Sequence, residues 1–178
     1  MRSEFVEKNA KNIELMGKDR EFKKISRKWF VHSLKHEYSY HFEWLGFPII
    51  QYPQDIIAYQ EIIWNVKPDL IIETGIARGG SIIFSASMLQ LIGKGQVLGI
   101  DIDIRKQNLK KIKNHVLKKR IKMIEGSSVD EKTTQQVKKI AKNKKKVLVV
   151  LDSNHTHEHV LKELEYYSQF VKKGSYLI

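Results

Sequence analysis

From Asp69 onward the hydrophobic positions fall into short, nearly unbroken runs separated by longer amphipathic stretches. The runs cover residues 70–73, 97–101, 121–125, 147–152 and 175–178. Between them, residues 81–92, 105–119, 130–142 and roughly 157–172 repeat apolar side chains at helical spacing. Apolar strands that alternate with helices of this length predict a mostly parallel sheet covered on both faces, with right-handed crossovers. The fold class is therefore α/β and doubly wound.

The first third of the chain follows another pattern. Residues 1–45 read as a charged, amphipathic helical segment with an aromatic cluster at Trp29, Phe30, Tyr38, Tyr40, Phe42 and Trp44. Gly46-Phe47-Pro48 interrupts it, residues 49–55 read as a loop, and a helix over 56–66 ends before Pro68. The expected organisation is an N-terminal helical segment, 1–45, followed by one α/β domain, 46–178. At the other end, Lys173-Gly174 is a turn into a fifth core strand, and the sequence stops inside it. An unfinished strand exposes unpaired backbone groups. This edge reads as a fragment boundary, or as one completed by another chain or a second copy.

A length of 178 residues suits one domain. No apolar run reaches the roughly 18 residues that span a bilayer, and the chain has no cysteine, which fits a cytoplasmic protein. The formal charge of +12 admits nucleic acid, anionic lipid or an anionic substrate as partners. Most of it is lysine set between hydrophobic anchors, as at Lys106, Lys110, Lys111 and Lys113, without the interleaved aromatics of a single-strand-binding face. Solvated helix faces are the simpler reading; no nucleic-acid partner is expected, and an anionic substrate stays open.

The chemistry centres on Glu73-Thr74-Gly75-Ile76-Ala77-Arg78-Gly79-Gly80-Ser81. A strand that stops at an acid, turns through glycines and enters a helix makes a seat for a nucleotide-like cofactor. The turn lacks the Gly-x-Gly-x-x-Gly of nicotinamide binders, because Ala77 occupies the second glycine's place, where backbone would approach a pyrophosphate. With Glu73 before the turn, the preferred ligand carries an amine and no pyrophosphate, as S-adenosylmethionine does.

Ligands of such sheets lie beyond the carboxyl ends of the strands. Asp101 ends the second strand and suits a ribose diol, or else caps a helix. Ser127 and Ser128 follow the third strand and suit the adenine, although Ser128-Val129-Asp130-Glu131 also matches a capping box. Asp152 ends the fourth strand and suits Mg2+, which takes one or two protein carboxylates, or else it caps the next helix. His155, three residues on, is placed for a general base or is a polar loop residue. His155 and His159 lack the intervening glutamate of a zinc His-Glu-x-x-His site.

These residues resemble the cephalosporin hydroxylase family of class I S-adenosylmethionine-dependent methyltransferases. The resemblance runs from about residue 38 to the end, through Trp44-Leu45-Gly46 to Gln54-Asp55, Pro68 to Gly75, Gly79-Gly80-Ser81, Gly99 to Arg105, Glu125 to Ser128 and Leu151 to Thr156. It implies a Rossmann-like sheet, S-adenosylmethionine at the Gly75 turn, with Glu73, Thr74, Gly75, Gly79, Ser81, Asp101, Ser127 and Ser128 around it, and Mg2+ at Asp152. It also implies O-methylation, including of sugar hydroxyls. The Asp152-x-x-His155 spacing is similar to that of catechol-type O-methyltransferases, whose base at this place is lysine. In such enzymes the next metal carboxylate follows the fifth strand, and sixth and seventh strands complete the sheet; all of these would lie past Ile178.

The sequence thus predicts Mg2+-assisted methyl transfer to a hydroxyl of a small molecule or carbohydrate, with Asp152 and His155 at the reacting oxygen. Two other readings are a catalytically silent cofactor-binding or assembly module and, against Ala77, a nicotinamide-dependent oxidoreductase.

Overall fold

A computed structural model describes residues 3–178. The chain divides into two compact units, with the boundary between Ser39 and Tyr40. The first unit holds helices α1 (Glu4–Lys18) and α2 (Arg20–Leu34), joined at Asp19, whose carboxylate accepts from the Phe22 N–H and so starts α2. Trp29 and Tyr38 meet edge to face within this unit, 5.5 Å apart.

The second unit opens with a hairpin, β1 (Phe42–Trp44) and β2 (Phe47–Ile49), where the sequence pattern reads helix and then loop. Leu45 and Gly46 form its two-residue turn, both at positive φ, the backbone that matches strand twist in a hairpin. The alternation of Phe42 and Trp44 is a strand period of two. Trp44 packs edge to face on Phe84, and its indole N–H donates to Ser87 Oγ at 3.0 Å.

Helix α3 (Pro53–Val66) begins three residues earlier than its apolar repeat suggests, because proline is at ease in a first turn, where no N–H partner is needed. It ends at Lys67 in a left-handed conformation, ahead of Pro68. The rest alternates: β3 (Leu70–Thr74), α4 (Gly80–Ile92), β4 (Gln96–Asp101), α5 (Lys106–Asn114), β5 (Ile121–Glu125), α6 (Glu131–Ala141), β6 (Val147–Leu151) and α7 (His157–Tyr167). Helices α5 and α7 are shorter than their amphipathic patterns, each giving way to a short 3-10 turn.

The four long strands are all parallel, in the order β5-β4-β3-β6. The alternation along β3 divides the core. Leu70 and Ile72 pack with Val137 and Ala141 of α6 and Tyr167 of α7. Ile71 turns to the other face, with Ile63 of α3 and Ile83 and Phe84 of α4. The leucine, isoleucine, valine and phenylalanine side chains among these are at most 1% exposed, a burial that contributes about 1.5–3 kcal/mol each. Helices on both faces make this the doubly wound arrangement that the pattern predicts. Residues 176–178 run parallel beside β6, bridging Val149 to Leu177 with hydrogen bonds from Val149 N to Tyr176 O and from Ile178 N to Val149 O. No helix of the described residues is long and apolar enough to cross a membrane.

Candidate active site

Chain order and strand order part company between β3 and β6: β3 leads by way of α4 to β4 on one side, whereas β6 lies on the other. At such a switch point the loops leave in opposite directions and open a crevice. Gly75 follows β3 and Asp152 follows β6, and the two meet there. Asp152 N donates to Thr74 O at 2.9 Å. Gly75 has φ +93°, and a Cβ on it would lie 2.0 Å from the Asp152 carbonyl oxygen. The close approach that demands glycine here is thus strand loop against strand loop.

The turn after β3 is held from β4. Asp101 Oδ2 accepts from the Ile76 and Ala77 N–H groups at 2.7 and 3.1 Å, and Oδ1 accepts from Asp103 N at 3.1 Å. Asp101 is therefore no helix cap; α5 starts later, with Arg105 at its N-cap. Ala77 takes φ +46°, with its carbonyl held by Asn108 Nδ2 at 2.8 Å. Gly79 is the N-cap of α4 at φ +89°, and a Cβ there would face Ile112 and Phe47.

Alternation along β3 turns Glu73 toward α3 and α4, where it is 1% exposed. Ser81 Oγ donates to its Oε1. Its Oε2 has no hydrogen-bond partner among the described residues, nor has Thr74 Oγ1, and both atoms are buried. Burial pushes the Glu73 carboxyl up to about 8, with the Ser81 hydrogen bond pulling it down and the Asp152 charge adding to the rise. Tyr59 Oη and Ser85 Oγ pair at 3.0 Å nearby; burial first, and Glu73 second, raise the Tyr59 phenol far above its usual range.

A cavity of about 240 Å3 opens on the other side of Gly75. Asp101, Ser127, Ser128, Asp152 and His159 are among the side chains that line it. Ser128 is not a cap either. Asp130 is the N-cap of α6, and Ser128 Oγ instead lies 3.0 Å from His159 Nε2. Thr156, not Asp152, is the N-cap of α7. Burial raises the Asp152 carboxyl, His155 lowers it, and Glu163 raises it again. His155 Nε2 sits 3.6 Å from Asp152 Oδ1, with its side chain 77% exposed.

The structure thus brings Thr74, Gly75, Asp101, Ser127, Ser128 and Asp152 to one rim. Glu73 and Ser81 lie beneath it, Gly79 at the start of α4, and His155 at the outer edge. Sequence reasoning did not assign a role to His159, Glu163 or Tyr167, although their four-residue spacing on one helix was legible.

The residues suit two kinds of guest. A buried acid with a spare oxygen fits a ligand that brings hydrogen-bond donors. Among the described residues no three His, Cys, Asp or Glu side chains gather as a metal cage. Asp152 beside His155 fits an ion that keeps most of its water, as Mg2+ does, and not a closed tetrahedral zinc site.

The sequence model of a family described as "Rhamnosyl O-methyltransferase/CmcI" matches residues 36–178. A rhamnosyl O-methyltransferase from Mycobacterium leprae (strain TN) is 30% identical over 138 residues, covering 76% of this chain and 58% of that protein. One from Mycobacterium tuberculosis (strain ATCC 25618 / H37Rv) is 31% identical over 129 residues, 70% of this chain and 50% of its own length. The aligned part of the chain therefore spans 50–58% of the length of these relatives. Among solved structures, CmcI in a form described with Mg and SAM aligns with a TM-score of 0.55 at 19% identity, over 78% of this chain and 56% of that one, a likeness of fold. The chain belongs to the rhamnosyl O-methyltransferase/CmcI family.

Proposed function

We propose that this chain forms the cofactor-binding part of an S-adenosylmethionine-dependent, Mg2+-assisted O-methyltransferase whose acceptor is a sugar hydroxyl, or that of another small molecule. The observation that carries this reading is the meeting of β3 and β6 at Gly75 and Asp152, beside the cavity that Asp101, Ser128 and Asp152 line, with the buried acid Glu73 two residues before Gly75 on β3. The names of the mycobacterial relatives point to rhamnose as the sugar, and the CmcI form with Mg and SAM points to the two cofactors. The lack of cysteine suits a cytoplasmic setting.

When bound, S-adenosylmethionine supplies an electrophilic methyl group, and Mg2+ supplies charge that favours an ionised acceptor oxygen. Glu73, with Oε2 unpartnered, holds the cofactor's amine, and Ser81 fixes its other oxygen. Thr74 and Gly75 bring the strand end alongside. Asp101 keeps the turn closed through Oδ2 and offers the free lone pair of Oδ1 to a ribose hydroxyl. Ser127 and Ser128 face the purine, and Gly79 lets α4 begin with its free N–H groups toward the crevice. Asp152 holds the metal. His155 takes the proton from the acceptor hydroxyl, and its exposure lets it pass that proton to solvent. Alignment of oxygen, methyl and sulfur by such fixed groups contributes on the order of 7–11 kcal/mol to barrier lowering.

The test is calorimetry with S-adenosylmethionine, with and without Mg2+, paired with a methyl-transfer assay on a rhamnoside. Cofactor binding, with transfer that needs the metal, is the expected result. Binding that ignores Mg2+, with no transfer to any acceptor, would favour the silent module; tight NADH binding would favour the oxidoreductase.

A further inference from the structure

Helix α7 carries His159, Glu163 and Tyr167 at intervals of four, which places them in one stripe along the helix. The stripe faces inward: Glu163 is 1% exposed and Tyr167 fully buried. Buried polar groups persist where they are paired, and each of these finds its partner in a loop at the rim. Tyr167 Oη donates to the Ser128 carbonyl at 2.8 Å. Ser153 Oγ donates to Glu163 Oε1 at 2.8 Å. His159 Nε2 lies 3.0 Å from Ser128 Oγ, 3.2 Å from Ser153 Oγ and 3.5 Å from Glu163 Oε1. Ser128 follows β5, Ser153 follows β6, and both line the cavity with His159.

Counting protons restricts the network. Ser153 has one hydroxyl proton, and it goes to Glu163, so toward His159 it can only accept. That contact requires a proton on Nε2. An Nε2–H lying between the two serines makes Ser128 Oγ an acceptor as well, and the proton of Ser128 is then left for the cavity. Were Nε2 bare, it would take the Ser128 proton for itself and the cavity would meet only a lone pair. The protonation site of one imidazole decides whether Ser128 is a donor to the ligand.

We propose that His159, held with its proton on Nε2 by Ser153 and Glu163, is a positioning residue that makes Ser128 a hydrogen-bond donor to a ring nitrogen of the cofactor's purine. The proposal rests on the S-adenosylmethionine reading of the crevice and adds to it the means by which the purine is selected.

Two measurements test it. In the first, long-range proton–nitrogen NMR on the ligand-free chain labelled at histidine nitrogens should show His159 protonated at Nε2. Ser153→Ala should shift the ring toward the tautomer protonated at Nδ1. A wild-type ring already bare at Nε2 would overturn the proposal.

The second is a double-mutant cycle on S-adenosylhomocysteine affinity, with melting curves to confirm folding. Ser128→Ala and His159→Leu should each weaken binding by about tenfold, the scale of one lost hydrogen bond. The pair should weaken it no more than either alone, because both remove the same donor. His159→Gln, whose amide can still donate, should stay within about threefold of wild type. Additive losses, or unchanged affinity in His159→Leu, would overturn the proposal and leave the cofactor reading standing. A wild type that binds no S-adenosylhomocysteine would take down the cofactor reading and this proposal together.

Discussion

Gly75 and Asp152 touch backbone to backbone at the point where the sheet reverses its winding, so closely that a methyl group on Gly75 would lie 2.0 Å from the Asp152 carbonyl oxygen and 3.1 Å from Ser153 Cα. That contact fixes the spacing of the two loops that form the crevice. Replacing Gly75 with alanine should therefore push β3 and β6 apart at their carboxyl ends. Besides the clash, φ +93° is strained for any residue with a Cβ. A loss of about 2–4 kcal/mol is expected, read by urea denaturation as a lower midpoint. A midpoint equal to wild type would show that the loops are not so tightly joined.

Asp101 should behave as a clasp. Its carboxylate takes three backbone N–H groups, two of them from the turn that contains Ala77 at φ +46°. An asparagine there has one oxygen to offer and an amide that cannot accept. Asp101→Asn should cost about 1–3 kcal/mol. Ala77→Gly should act in the opposite sense: relief of a left-handed alanine, about 1–2 kcal/mol, outweighs the extra freedom of glycine in the unfolded chain, about 0.5–1 kcal/mol. Thermal melts of the two variants should move to opposite sides of wild type.

Glu73 sets a pH dependence. Its carboxyl, pushed up by burial to about 8 in the folded chain, lies well above the 4.5 usual for a glutamate. Below 4.5 the carboxyl is protonated in both folded and unfolded chains. As pH rises from 4.5 to 8 the unfolded chain gives up this proton first, so the contribution to stability falls across that window. Glu73→Gln should flatten the fall, leaving the variant less sensitive than wild type between pH 5 and 8 in denaturation profiles run at several pH values. An equal slope in both would mean that Glu73 titrates normally. If Glu73 also meets the cofactor's amine, binding near pH 7 should release a proton from wild type, seen as a dependence of the calorimetric enthalpy on buffer, and none from Glu73→Gln.

Asp152 separates metal from cofactor. It lies on the rim, 44% exposed at its side chain, with His155 as neighbour. Asp152→Ala should lower metal-dependent methyl transfer at least about a hundredfold, while S-adenosylhomocysteine affinity changes by no more than a few-fold. Turnover that survives the substitution would remove Asp152 from the chemistry.

Much of the α/β layer was legible because β3, β4 and β6 are buried on both faces and therefore apolar nearly throughout, whereas β5, at the sheet edge, leaves Lys122 and Glu125 exposed. The hairpin at 42–49 was not: three-residue strands give too short an alternation, and its aromatic residues also suit a helix face. Candidate site residues could be picked out where they end strands, since the register of a parallel sheet brings all such ends to one rim. Their partners were harder to see. Asp101, Ser128 and Asp152 each precede a helix and read locally as caps. Asp101 is instead bonded to residues 24 and 25 positions away, and Ser128 to one 31 positions away. The polar stripe of α7 showed its spacing but not its purpose, because Ser128 and Ser153 meet it only after the chain has crossed the sheet.

The most direct test of the account is a crystal structure of the chain grown with S-adenosylhomocysteine. Its amine should lie near Glu73, its ribose at Asp101 and its purine beside Ser127 and Ser128. Density for the ligand elsewhere, with the space between the β3 and β6 loops filled only by water, would contradict it.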